Sequence, residues 1–438
     1  MTFVALNLRQ TSPTIAGLVG SCRVRRGLTG SRRLNMRLLL VLATASLIPA
    51  KALADWPAWR GPGNDGIVTE QGLLTKWPEG GPKELWRLEV GRGYSSPVAV
   101  NDRVYVFARV DDNREVLYCI NAEDGKPVWT RHYDGGYKAR GYQGTRASPL
   151  VDGDTIYTYG GAGDLVAWSA ENGDIKWRKQ VQKDHRAENL QWGLSSSPVI
   201  VGENIIVQVG KGGPVAVAVN RSTGDYAWAS AAKALSGYAT VLPIKVGEKT
   251  QAIVFGGDRV HALDPQTGKT LWSMQWKTSY DINATLPLYR DGHLFLSSGY
   301  KKGGIMLTVS EEGFKEQWKN AEYQARFNPP ILDRDHVYIN SETGLICFSW
   351  PDGKLKWKAG RNEVNLGVGG SLVRFGEHLL GMSERGRLHL IKATPAGFSV
   401  VSQVDLLEGN EIWATPLIYK GRLYAKGMTE LVCLKISE

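Results

Sequence analysis

A glycine followed four residues later by a tryptophan recurs along the chain, and this repeat constrains the fold more than any other feature. The pairs are Gly125/Trp129, Gly173/Trp177, Gly224/Trp228, Gly268/Trp272 and Gly353/Trp357, with Gly313/Trp318 carrying one insertion and Gly397/Val401 keeping the spacing without the indole. Self-similarity at a period of several tens of residues indicates a repeat architecture, in which each unit packs against its neighbours.

Each repeat has the pattern of four short antiparallel strands. The first shows runs of β-branched and aromatic residues at 97–100, 104–107, 116–121 and 128–131, separated by turn residues such as Asp124-Gly125. Strands favour those side chains, and an Asp-Gly or Thr-Gly turn supplies the positive φ of a tight hairpin. The tryptophan then lies on the outermost strand, where its large surface fills the wedge between adjacent units.

A second marker, usually Ser-Pro or a similar pair, precedes the first strand of each repeat. It occurs at Pro97, Pro149, Pro198, Pro243, Pro287, Pro330 and Pro416, with Ser371-Leu372 in its place once, at spacings of 42 to 52 residues. Four-stranded propeller blades have about this period. The last repeat lacks an outer strand, which Leu85 to Leu88, around Trp86, would supply. The prediction is an all-β propeller over residues 84–438, eight-bladed and closed by its N-terminal strand, with seven blades as the alternative.

The stretch from Ala262 to Trp272 resembles the tryptophan-docking repeat of pyrroloquinoline-quinone (PQQ) type β-propellers. That family includes quinoprotein alcohol dehydrogenases and the outer-membrane assembly propeller BamB, and the resemblance covers residues 84–438. The segment at 55–83, with Trp56-Pro57-Ala58-Trp59-Arg60-Gly61-Pro62, resembles the lead-in of exported PQQ-repeat proteins. The motif is specific for fold and weak for function.

The first 54 residues read as a leader. Residues 36–54 combine a basic start, a short apolar core and Ala52-Leu53-Ala54, the pattern of a signal peptide cleaved near Ala54. Residues 1–35 are interpreted as a wrongly assigned start or, alternatively, an extended twin-arginine leader. The leader carries most of the net charge of +10, so basicity gives no argument for a nucleic-acid partner. A periplasmic or secreted protein without a transmembrane span is expected.

Metal and nucleophile signals are weak. The histidines are scattered, and neither a Cys-x-x-Cys pair nor a Gly-x-Ser-x-Gly motif occurs, so no metal ligand and no catalytic residue is assigned. Outside the leader, Cys119, Cys347 and Cys433 lie in apolar runs. Cys119 and Cys347 share a repeat position with Ala167, Ala218 and Ala262, which suggests a site for small side chains. A Cys119–Cys433 bridge between the first and last repeats is left open.

The links from each outer strand to the next inner strand lie on one face of a propeller, near its channel; this is called the link face. Two consecutive links, 132–147 and 179–196, are longer than the others. Loops carry most binding function, and aromatic–arginine mixtures characterise interaction hot spots. The candidate binding residues on this face are Tyr94, Tyr142, Gln143, Arg146, Gln191, Trp192, Tyr238, Asn283, Arg326, Asn328, Asn365, Glu411 and Trp413.

Three functions remain open at this stage. The first is an exported, non-catalytic propeller that binds a protein or peptide of the cell envelope without a cofactor. The second, which the family resemblance implies, is an oxidoreductase using PQQ with Ca²⁺; Trp192 or Trp413, Arg146 or Arg326, and Glu411 would then act as aromatic floor, arginine and base. The adjacent cysteine pair of quinoprotein alcohol dehydrogenases is missing. The third is a glycan-binding propeller that uses exposed tryptophans.

Overall fold

The computed structural model describes residues 55–137, 141–231 and 233–438; the leader predicted over residues 1–54 lies outside them. In the described residues the chain forms eight antiparallel blades of four strands each. The eight-bladed prediction is confirmed, and the seven-bladed alternative is wrong. No helix in these three ranges is long and apolar enough to cross a membrane.

The strands follow one another in simple order, the first strand of each blade lying innermost. Two strands precede the first blade: β1 (Ile67–Val68) and β2 (Lys83–Glu89). Blades 1 and 2 comprise β3 (Val98–Val100), β4 (Arg103–Val110), β5 (Arg114–Asn121) and β6 (Pro127–Asp134), then β7 (Leu150–Asp152), β8 (Thr155–Tyr159), β9 (Asp164–Ser169) and β10 (Ile175–Gln180), followed by α1 (Val181–Asp184). Blade 3 and a small ribbon comprise β11 (Val199–Val201), β12 (Asn204–Gln208), β13 (Lys211–Pro214), β14 (Ala216–Asn220), β15 (Tyr226–Ala229) and β16 (Lys233–Leu235), of which β13 and β16 pair separately.

The second half repeats the pattern. Blades 4 and 5 comprise β17 (Leu242–Val246), β18 (Lys249–Phe255), β19 (Arg259–Leu263) and β20 (Thr270–Gln275), a 3₁₀ turn (Ser279–Asp281), then β21 (Leu288–Arg290), β22 (His293–Ser298), β23 (Gly303–Val309) and β24 (Phe314–Asn320). Blades 6 to 8 comprise β25 (Ile331–Asp333), β26 (His336–Ser341), β27 (Gly344–Ser349) and β28 (Leu355–Gly360); β29 (Ser371–Phe375), β30 (His378–Met382), β31 (Arg387–Thr394) and β32 (Gly397–Asp405); and β33 (Leu417–Tyr419), β34 (Arg422–Lys426) and β35 (Glu430–Lys435).

The ring closes through the N-terminal strand, as the sequence predicts. β2 pairs antiparallel with β35 and forms the outer strand of blade 8, with Trp86 opposite Cys433. The first and last parts of the described chain therefore share one sheet. Closure of this kind joins the two ends of the ring within one blade and leaves only the short inner and outer edges that every blade has.

Most repeat tryptophans pack against the turn glycine of the next blade. A Cβ atom at Gly173, Gly224 or Gly268 would lie within 2.8 Å of the ring of Trp129, Trp177 or Trp228 respectively, and one at Gly353 within 2.6 Å of Trp318. These glycines also have φ between +70° and +77°, a region that other residues rarely adopt. The glycine is thus required both by the turn and by the indole lying against it.

Two repeats use a different contact. No atom lies within 4 Å of a Cβ built at Gly313 or Gly397. Instead, the residue after each glycine is a phenylalanine, and Phe314 and Phe398 lie 5.1 Å and 5.0 Å, between ring centroids, from Trp272 and Trp357. A phenyl ring therefore covers the indole where the glycine turn is displaced.

The small side chains that recur on the third strand face the repeat tryptophans in register. The pairs across the third and fourth strands are Cys119 with Trp129, Ala167 with Trp177, Ala218 with Trp228, Ala262 with Trp272, Cys347 with Trp357 and Cys433 with Trp86. A small residue leaves room for the indole to lie over the sheet. All three cysteines are buried free thiols, so the Cys119–Cys433 bridge is not formed.

The segment that precedes β2 crosses the central channel. Trp56 exchanges two backbone hydrogen bonds with Ala99 of blade 1, and the Pro57 carbonyl accepts one from Val151 N–H of blade 2. On the far side of the ring, Arg60 donates to the carbonyls of Pro329 and Pro330 in front of blade 6, and β1 pairs in parallel with β29 of blade 7. The segment therefore blocks the channel between opposite inner strands.

Candidate functional site

A cavity of about 440 Å³ lies at the centre of the link face. Its walls come from the ends of the links, and Trp59 of the channel-crossing segment also lines it. Because that segment bonds to the inner strands below their first residues, Trp59 closes the inner end of the cavity. The result is a blind pocket of the size that binds small molecules or a few side chains.

Nine of the thirteen candidate binding residues line this cavity, although the sequence spreads them over six links. They are Tyr94, Tyr142, Arg146, Trp192, Tyr238, Arg326, Asn328, Glu411 and Trp413. The interpretation that the links converge on one face explains why such distant positions meet.

The other four candidates lie outside the cavity lining. Asn283 is fully buried and donates to the carbonyls of Gly256, Gly257 and Trp276, so it fixes a link rather than facing a ligand. Gln143 accepts from Arg109, and Asn365 accepts from the N–H of Gly367. Gln191 is exposed beside Trp192, which takes the cavity position.

Aromatic rings dominate the cavity wall and fall into two groups. In the first, Tyr238 and Trp192 lie 5.9 Å apart, Trp192 and Tyr280 6.2 Å, and Tyr280 and Tyr300 5.8 Å, between ring centroids. In the second, Trp413 is surrounded by Tyr94 at 4.7 Å, Phe327 at 4.7 Å and Tyr142 at 5.5 Å. Rings of both groups line the cavity, and in the second group Tyr94 and Phe327 cover much of the Trp413 ring.

The charged groups of the cavity are held by other protein groups. Tyr94 donates its hydroxyl to Glu411 at 2.8 Å, and burial together with that carboxylate raises the pKa of Tyr94 well above its usual value. Arg326 forms an ion pair with Glu342 and lies 4.2 Å over the ring of Tyr300. Arg146 donates to the carbonyl of Gly144 and to the hydroxyl of Tyr137. These contacts fix the side chains before any ligand arrives.

A chain of hydroxyl groups, here called the hydroxyl arc, links the inner strands beneath the aromatic walls. It runs through Ser96, Ser148, Ser197 and Thr240, one residue from each of blades 1 to 4. The backbone N–H of Thr415 donates to Ser96 Oγ at 2.8 Å, that of Ser96 to Ser148 Oγ at 2.9 Å, that of Ser148 to Ser197 Oγ at 3.0 Å and that of Ser197 to Thr240 Oγ1 at 3.1 Å. These hydroxyl groups therefore tie together the starts of the inner strands of blades 8, 1, 2, 3 and 4.

Several cavity residues were missed by reasoning from the links alone. Tyr300 and Glu384 lie in the hairpins between the second and third strands of blades 5 and 7, which reach the same face. Tyr280 and Phe327 lie in links that were considered, and Trp59 lies in the lead-in segment. Tyr300 and Glu384 could have been predicted by also considering the hairpins between the second and third strands. No sequence pattern places Trp59 in the channel.

No group of three or more His, Cys, Asp or Glu side chains that could hold a metal ion occurs within residues 55–137, 141–231 and 233–438.

Comparison with known proteins relates this chain to two functional types. A family model described as outer membrane protein assembly factor BamB matches residues 71–140, 139–359 and 256–433. Quinoprotein alcohol dehydrogenase PedH of Pseudomonas putida is 26% identical over 270 residues, covering 56% of this chain and 42% of that protein. Outer membrane protein assembly factor BamB of Yersinia pestis is 24% identical over 272 residues, covering 60% of this chain and 62% of that protein.

The chain thus matches less than two thirds of the length of either curated relative. Among solved structures, the quinohemoprotein alcohol dehydrogenase from Comamonas testosteroni superposes with a TM-score of 0.66 at 14% identity, over 88% of this chain and 81% of that one. At that identity the likeness demonstrates a shared fold and leaves the activity open.

Proposed function

The chain belongs to the PQQ-like β-propeller family described as outer membrane protein assembly factor BamB, and on this premise we propose that it is a non-catalytic binding propeller. Its cavity on the link face receives a segment of another envelope protein. The leader pattern at 36–54 supports export to the periplasm or beyond.

One observation carries this proposal. The aromatic rings around Trp192 are open to the cavity, while the charged side chains nearby are bonded to protein groups. Rigid, amphipathic aromatic side chains give contact area at a low entropic cost, which is what a recognition surface requires.

The second candidate function is PQQ-dependent oxidation, which the match to PedH favours. The quinone would need an open indole face, an arginine and a carboxylate base. Trp413 and Arg326 do not fit these roles, because Tyr94 and Phe327 cover the indole and Glu342 pairs with the arginine. Trp192, which lines the cavity, and Arg146, which bonds to neutral groups, would take these roles instead, with Glu411 as the carboxylate.

Site-directed photo-crosslinking tests the proposal. A photoreactive amino acid at Tyr280, whose side chain is 67% exposed, is expected to capture one envelope protein in cells, and substitution of Trp192 by alanine is expected to reduce the yield. The same amino acid at Leu355, which is 53% exposed on an outer strand, is the matched control. Equal yields at both positions would contradict the proposal.

Titration with PQQ and Ca²⁺ separates the two candidates. The binding proposal expects no saturable change in quinone absorption and no dye-linked alcohol oxidation. Stoichiometric binding with turnover would replace the binding function by the oxidoreductase.

A further inference from the structure

Three tyrosines at the cavity mouth have left-handed backbone conformations. Tyr142, Tyr280 and Tyr300 have φ of 50°, 61° and 59°, and all three line the cavity; they are here called the tyrosine collar. The left-handed region costs a residue with a Cβ roughly 1–2 kcal/mol, and bulky side chains rarely occupy it. Such strain concentrates at ligand-binding positions. The ring of Tyr280 is nonetheless 67% exposed, so its own packing does not explain its placement.

The open aromatic wall has the spacing of an extended peptide. Ring centroids follow one another at 5.9, 6.2 and 5.8 Å from Tyr238 through Trp192 and Tyr280 to Tyr300. An extended or polyproline II chain advances about 3.1–3.4 Å per residue, so every second residue advances about 6–7 Å. In a polyproline II chain, which has three residues per turn, side chains on one face recur about every 9 Å, so the contact would be made with the continuous wall of rings rather than with one ring per residue.

The floor of the cavity offers more hydrogen-bond donors than it uses. Ser96, Ser197 and Thr240 of the hydroxyl arc are buried, line the cavity, and each accepts a backbone N–H. Within the described part of the chain, no hydrogen bond uses their O–H groups as donors. Buried donors without acceptors are costly, and a ligand rich in carbonyl oxygens would satisfy them.

We propose that the cavity binds a proline-rich segment of the partner protein in the polyproline II conformation. Proline rings pack on tyrosine and tryptophan, as in other aromatic-lined peptide grooves. Proline residues keep the carbonyl acceptor but lack the N–H donor, which matches a site with spare donors. This inference rests on the proposed function and specifies the chemistry of its partner.

The opposite wall suggests what flanks the prolines. Glu384 and Glu411 line the cavity, and neither forms an ion pair among the described residues. Glu384 accepts from Gly369 N–H, and Glu411 accepts from Tyr94, so each carboxylate keeps acceptor capacity. A basic residue at one end of the proline run would complement this wall.

Fluorescence anisotropy with the purified chain tests the inference. The probe is a fluorescein-labelled peptide of about nine prolines followed by one arginine, of which a few residues would enter the cavity. Saturable binding is expected, about tenfold weaker for Tyr280→Ala and for Trp192→Ala, and unchanged for the matched control Leu355→Ala. A peptide with alanine at every proline is expected not to bind.

The outcomes separate this inference from the function on which it rests. Equal binding of the alanine peptide, or undiminished binding by Tyr280→Ala, would overturn the proline-rich assignment. If Trp192→Ala reduces crosslinking to an envelope protein while the proline peptide fails to bind, the binding function stands and the partner chemistry is wrong. If crosslinking does not depend on Trp192, the proposed function itself fails.

Discussion

The turn glycine of the first blade, Gly125, lies against the indole of Trp86, the tryptophan that the N-terminal strand contributes to the last blade. A Cβ at Gly125 would come within 2.6 Å of that ring. The same contact that joins neighbouring blades therefore joins the two ends of the ring. Trp86 also lies opposite Cys433 across the sheet, and its ring centroid is 5.7 Å from that of Tyr424. The closing strand is therefore fixed by packing as well as by hydrogen bonds.

The docking contact makes a paired glycine substitution informative. Gly268→Ala would place a methyl group 2.5 Å from the Trp228 ring at a residue with φ of +71°. We expect a loss of about 2–4 kcal/mol in the free energy of unfolding, because both the clash and the left-handed backbone oppose the methyl group. Gly313→Ala meets no atom within 4 Å and serves as the control. Thermal melting of both variants measures the difference; equal midpoints would contradict the role of the docking glycine.

The fold could be predicted from the sequence because its repeat records a physical contact. Gly268 and Trp272 recur together, since most blades present a turn glycine to one neighbour and an indole to the other. The eighth blade was also predictable, because the last repeat had no outer strand and Leu85 to Leu88 could supply one. The path of the channel-crossing segment could not be predicted, because it depends on contacts between distant residues. One of these is the hydrogen bond from Arg60 to the carbonyl of Pro329, 269 residues away.

The candidate site was predictable as a face and less so as a set of residues. Tyr94 and Trp413 meet because links converge on the channel, a consequence of propeller geometry. Asn283 shows the limit of that reasoning, because a link residue can turn away from the cavity and bind the backbone carbonyls of a neighbouring hairpin. The tyrosine collar was missed in part because a backbone conformation such as that of Tyr300 leaves no trace in composition.

The three cysteines are predicted to be unreactive in the folded protein. Burial raises the pKa of Cys119 to about 11 and those of Cys347 and Cys433 to about 12, and the thiolate is the reactive form. In a chain beginning at residue 55, Ellman's reagent should detect no thiol at pH 8 and all three after denaturation. Detection of fewer than three thiols after denaturation without reductant would indicate a disulfide and would contradict the free thiols of the structure.

A buried carboxyl group between blades 1 and 2 is expected to make stability depend on pH. Glu115 is fully buried, accepts from the hydroxyl of Tyr133 at 2.5 Å and from Gly161 N–H at 3.1 Å, and lies near Asp164 and Arg109. Burial raises its pKa from 4.5 to about 7. Between these values the folded state holds a proton that the unfolded chain has lost, so the stabilisation present below pH 4.5 is lost as the pH rises to about 7.

Glu115→Gln removes this titration. Relative to the variant, the wild-type protein should lose about 3 kcal/mol of unfolding free energy between pH 4.5 and 7.5, at about 1.4 kcal/mol for each unit of pKa. Melting temperatures of both proteins across this range provide the measurement, and Glu123→Gln on the exposed turn of blade 1 is the control. A difference between wild type and Glu115→Gln that stays constant with pH would show that Glu115 is ionised in the folded state.

The position of the channel-crossing segment against the inner strands is predicted to depend on Arg60. Its guanidinium is buried, and burial lowers its pKa to about 10, so it remains charged at neutral pH. It donates to the carbonyls of Asn64, Asp65, Pro329 and Pro330, and Arg60→Ala leaves these acceptors without donors at a cost on the order of 3 kcal/mol. Because local opening precedes cleavage, chymotrypsin should cut the variant after Trp59 well before the wild type. Arg385→Ala, at an exposed position, should match the wild type, and equal protection of Arg60→Ala would show that Trp56 and β1 hold the segment without the guanidinium.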